Sequence, residues 1–202
     1  MPSTKEDVQA VLAPYHERIA SVIARAWSEW RVISAFRAEH SYDPVIYSRT
    51  VANHVFDAIA RIAIREFAED FSVNVKVEAQ TVKFFFNGSV LARFKKGDGN
   101  KLGQNNPTQA VLDFVTQDCI LPGMPPETAK VEFVWIPNSI LTAIDRILVV
   151  ARDGNRLLWD YEITQSTGAV LPFPAGAVDS DDLDTEGLVR PRLPAGKSEE
   201  QG

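Results

Sequence analysis

Arg93-Phe-Lys-Lys-Gly-Asp-Gly-Asn-Lys-Leu-Gly-Gln-Asn-Asn-Pro-Thr-Gln109 gathers most of the side chains in this sequence that could do chemistry together. Arg93, Lys95, Lys96 and Lys101 could neutralise phosphates, and the phenylalanines upstream could stack on bases. Asp98, Asn100, Asn105, Thr108 and Gln109 complete the candidate binding set. Gly97, Gly99 and Gly103 suggest a cradle of backbone N–H groups, but their spacing is two and then four, not Gly-x-Gly-x-x-Gly. The next helix starts only near Pro107, late for a phosphate site at a helix N-terminus. Two plainer readings stand beside these: a mobile strand-to-helix connection, and lysines that guard an edge strand against sheet-to-sheet pairing.

Other constellations are thin. His54 and Asp57 are three residues apart and could touch on a helix, yet no nucleophile is tied to them. His16 and Glu17 are adjacent, so their side chains diverge. Cys119 reads as a small buried hydrophobe. Asp160-Tyr-Glu162 puts two acids on one face of a strand, but Thr164 stands where a metal nuclease would want lysine. His-Glu-x-x-His, Cys-x-x-Cys and Gly-x-Ser-x-Gly do not occur. The residues therefore assign no catalytic group, no metal and no cofactor, and leave open whether the chain is an enzyme.

The elements that must position the strand-loop follow from periodicity. Ser3-x-x-Glu6 has capping-box spacing. Val8, Leu12, Tyr15, Ile19, Val22, Ala26, Trp30 and Ile33 recur at helical steps. Pro14 either kinks that helix or opens a second one. A further amphipathic helix carries Val51, Val55, Ile59, Ile62 and Phe67. From Phe71 the period becomes two, predicting a strand through Ala79. Asn87-Gly88 predicts a hairpin with Phe84 opposite Leu91 and Phe85 opposite Val90. A short helix over 107–115 and strands over 130–136, 144–151 and 157–163 complete the pattern, with Asp153-Gly154 as a second two-residue hairpin that pairs Val150 with Leu157. The fold class is α+β: two N-terminal amphipathic helices packed on an antiparallel sheet of about six strands.

Residues 1–167 are expected to be one domain. Residues 168–202 read as a disordered acidic Pro/Gly-rich tail with seven acids against three bases, which is -4 of the total charge of -6. The basic stretch is thus local. One cysteine and a polar N-terminus point to the cytoplasm, and no apolar run is long enough to span a membrane.

Two stretches carry a resemblance. Arg93-Phe-Lys-Lys-Gly-Asp-Gly-Asn-Lys-Leu-Gly103 with Pro107-Thr-Gln-Ala110, and Ile144-Asp-Arg-Ile-Leu-Val-Val-Ala-Arg-Asp-Gly154, resemble the two signatures of an uncharacterised family of bacterial proteins of about this length. That family accompanies helix-turn-helix regulators of the ImmA/IrrE zinc-peptidase type, in the manner of toxin–antitoxin or phage-defence pairs. The resemblance transfers no catalytic residue. It implies an effector that acts through a cognate regulator or antitoxin protein. The alternative is a small nucleic-acid- or phosphate-binding protein, or an enzyme, that uses residues 93–109.

Overall fold

In a computed structural model, Thr4 caps α1 (Lys5–Leu12) through a capping box with Asp7. The box lies one residue later than the Ser3-x-x-Glu6 spacing predicts, because Thr4 is the residue with extended backbone and a side chain that accepts from the Asp7 amide. The structure describes residues 4–78, 81–97, 99–104 and 108–163. These fall within one compact unit, residues 1–166. The expectation of a disordered tail concerns residues outside those described.

Pro14 sits in a 3-10 turn, Ala13–Tyr15, and α2 (His16–Glu39) follows directly. Proline's missing N–H costs nothing at the start of a turn, so Pro14 bends the chain between the two helices. α3 (Ser48–Phe67) returns beside α2. Arg18 ties the two, reaching Glu66 at 3.0 Å and also Asp70.

The sheet runs β1 (Val73–Glu78), β2 (Thr81–Phe86), β3 (Val90–Lys96), β4 (Ala129–Pro137), β5 (Ile144–Asp153) and β6 (Arg156–Glu162), in that spatial order. Four neighbour pairs are antiparallel; β3 and β4 are parallel. A parallel pair needs a long crossing connection. Here it is the segment between β3 and β4, which carries α4 (Gln109–Val115).

Both hairpin registers differ from the sequence reading, each for its own reason. Phe86 pairs with Val90, so Phe84 faces Ala92 and Phe85 faces Leu91. Asn87 and Gly88 do adopt positive φ, but Ser89 joins them as a third loop residue. In the second hairpin Asp153 pairs with Arg156 across Gly154-Asn155, and a bulge at Ala151/Arg152 shifts Val150 to Asp160. Phe71, expected on the inner side of the first strand, precedes β1 and is fully exposed.

Each sheet face has its own cover. On one, α2 and α3 bury Phe84, Phe86, Phe94, Phe133 and Trp135; the Phe67 ring meets Phe84 and Phe86 edge-on, both at 5.6 Å. The β3–β4 connection covers the other, through Phe114 and Val115 on Leu91 and through Leu102 against Val134, Leu148 and Val150. Among the described residues no helix is long and apolar enough to cross a membrane.

Candidate functional site

Alternation along β3 sends Arg93 and Lys95 to the face that the connection covers. Arg93 is only 2 % exposed and does not belong to a basic rim. Its guanidinium donates to Glu132 Oε1 at 2.6 Å and lies 4.1 Å from the centre of the Phe114 ring. Burial pulls Arg93 below the usual guanidinium range, and the Glu132 carboxylate counters that. Arg152 completes a buried triad, 3.5 Å from Glu132 Oε2 and bonded to the Gly103 and Gly154 carbonyls. Sequence reading missed Glu132 and Arg152. Their signal is faint: Glu132 is a charged residue between Val131 and Phe133, and Arg152 stands between Ala151 and Asp153 at the end of β5.

The glycines serve this enclosure. Gly97 and Gly103 form an antiparallel bridge that folds the loop back over the sheet. A Cβ on Gly97 would lie 2.5 Å from Val134 Cγ1. One on Gly103 would fall on the Glu132 carboxylate and 2.7 Å from Lys95 Cβ. Both glycines are therefore present for close backbone approach. Gly103→Ala should lower the urea-unfolding free energy by about 1–3 kcal/mol, the range for overpacking. Gly99→Ala, whose Cβ would meet open space, should change it by less than about 0.5 kcal/mol and serves as the control.

The remaining candidates separate into structural and open groups. Lys101, with φ of 64°, bonds Asp160 at 2.9 Å and pins the loop to β6. Thr108 caps α4 by accepting from the Val111 amide, and Gln109 donates to Asp113 at 2.6 Å. Asn100 lies at a cleft of about 690 Å³ between the loop, α4 and the β5–β6 turn. Asp98 and Asn105 lie outside the described residues. Lys95 and Lys96 are partly buried and make no ion pair among the described residues. Burial and the neighbouring Arg93 pull Lys95 down to about 8. Four cations thus reduce to two that could meet an anion.

The other constellations are also occupied. Asp160 and Glu162 pair with Lys101 and Arg146, and no group of three His, Cys, Asp or Glu among the described residues could hold a metal. His54 does not meet Asp57; its ring lies 5.6 Å from that of Trp30, while Asp57 binds Arg61. His16 bonds the Tyr161 hydroxyl at 3.1 Å, and burial lowers its imidazole. Cys119 is partly buried, and its carbonyl accepts from Lys130 at 2.7 Å. Lys130, 5 % exposed, also donates to the carbonyls of Asp113 and Thr116, so it closes the C-terminal end of α4.

A different surface stands out at the α2–α3 end. Val32 and Phe36 protrude from the last turns of α2, and Tyr42, Ile46 and Tyr47 follow in the connection to α3. Ile46 is 85 % exposed. Ile140 and Leu141, in the β4–β5 loop, are exposed as well, and Arg31 joins that loop to α2 by donating to the Thr142 carbonyl at 2.7 Å. The sequence signal was available: Val32 and Phe36 lie off the inner stripe of the helix. Comparison with protein-family models, curated proteins and solved structures finds no match to this chain.

Proposed function

We propose that the chain is an interaction protein, the effector of a two-gene stress or phage-defence module, acting through a cognate regulator or antitoxin protein. The observation that carries the interaction reading is the apolar end formed by α2, its connection to α3 and the β4–β5 loop. Surface aromatic and aliphatic groups gathered at one end are characteristic of docking surfaces. The module and the kind of partner rest on the resemblance of residues 93–110 and 144–154. The alternative of anion binding has in its favour two lysines, Lys95 and Lys96, that make no ion pair among the described residues, and two phosphate contacts give only weak, salt-sensitive binding.

Co-expression with the product of the adjacent gene tests the reading. A complex should form that Lys95→Ala/Lys96→Ala leaves intact, and growth arrest by the chain alone should be relieved by the partner. Harmless expression with no complex overturns it. DNA or RNA binding that falls steeply with salt and is lost in the lysine variant turns the assignment to the alternative.

A further inference from the structure

The apolar end is larger than a monomer normally leaves in water. Taking a large side chain at about 200 Å² when fully open, its seven members expose roughly 800–900 Å². The largest apolar patch of a typical monomer is about 300–600 Å². A stable interface needs about 800 Å² from each partner.

α2 points the same way. Its last fully buried side chain is Trp30, yet the helix runs on to Glu39. In those last turns only Ile33 and Arg37 are even partly covered. Short helical segments are marginal in water without an apolar face to pack against. The end of α2 thus carries Val32 and Phe36 into water.

The charges around the patch discriminate between occupants. Arg31, Arg37 and Arg49 stand with Glu39 and Asp43, and none of these five side chains is in an ion pair among the described residues. Arg31 and Arg37 bond only backbone carbonyls, and Arg37 and Arg49 lie over the Tyr42 and Tyr47 rings. A partner of one charge sign would repel part of this rim. A two-fold interface brings the same patch against itself, so arginines of one copy can face acids of the other. We infer that the occupant of the apolar end is a second copy of this chain, joined through α2 and the α2–α3 connection about a two-fold axis. The inference rests on reading that end as a docking surface, and adds that the effector is a homodimer which its partner meets as such.

Sedimentation equilibrium of the full chain tests it. The protein should be dimeric with a dissociation constant in the micromolar range or below. Ile46→Glu and Phe36→Glu should each raise that constant at least about 100-fold, as for central interface residues. Phe71→Ser, an exposed apolar site outside the patch, should leave it unchanged. Arg37→Glu and Glu39→Arg should each weaken the dimer, and the double variant should recover part of the loss. All of these positions are at least partly exposed, and circular dichroism melts check that the variants fold. A monomer up to about 100 µM overturns the inference. So does a dimer indifferent to Ile46→Glu and Phe36→Glu, or one lost equally in Phe71→Ser. A monomer that still binds the adjacent gene product removes the dimer and keeps the proposed function; a dimer that binds no such product does the reverse.

Discussion

Glu132→Ala should cost about 3–5 kcal/mol of folding stability, the largest loss expected from a single substitution in this chain. The carboxylate is fully buried between Arg93 and Arg152. Its removal takes from both buried guanidinium groups the carboxylate they share. Domains of this size are stable by only about 5–15 kcal/mol, so the variant should populate unfolded chain under mild conditions. Urea unfolding followed by circular dichroism measures the loss. The attraction within the triad is offset by the cost of taking three charges out of water. Arg93→Met/Glu132→Leu/Arg152→Met, which replaces all three, should therefore recover most of the stability despite removing more polar groups. A triple variant as unstable as Glu132→Ala would mean that the triad contributes net stability.

Lys95→Met should stabilise the protein at neutral pH by about 2–3 kcal/mol, with a gain that vanishes toward pH 10. The folded state holds the Lys95 ammonium at about 8 against an ordinary value of 10.5. Below pH 8 both states are protonated, and the fold bears the full cost of a partly buried charge. Between those two values the unfolded chain keeps its proton and the folded one sheds it, so stability rises with pH. Lys130, also lowered by burial, adds a rise of the same sign in both proteins and cancels in the difference. Burial raises the Tyr161 phenol, which makes stability fall above about pH 10, so the useful window is pH 7 to 10. Urea midpoints of the two proteins at either end of the window decide it. A difference independent of pH would show that Lys95 is not strained by burial.

The fold class was legible because its signals are local. Helical stripes, the switch to period two at the first strand and the Asn87-Gly88 turn each act over a few residues. The hairpin registers were missed because a turn declares neither its length nor its exact place: Ser89 extends one loop, while the other falls on Gly154-Asn155 and the bulge at Ala151 shifts its pairs further. The burial of Arg93 was missed for a less local reason. Arg93 alternates correctly onto its sheet face, but what covers that face is set by a parallel pairing that brings Glu132 beside it from 39 residues away. No periodicity announces such a partner. Gly103 illustrates the same limit: its reason is the Glu132 carboxylate against its backbone, not a ligand.

The parallel joint between β3 and β4 should also set an order of assembly. On either side of it lie three strands linked by short reversals, and such ribbons close quickly. Bringing the two ribbons edge to edge requires closing the whole intervening crossover, whose entropy must be spent before any contact across the joint repays it. Arg93 and Glu132 meet on that line. On that order their charges should stay hydrated while each ribbon forms, and lose their water in the late step that makes six strands one sheet.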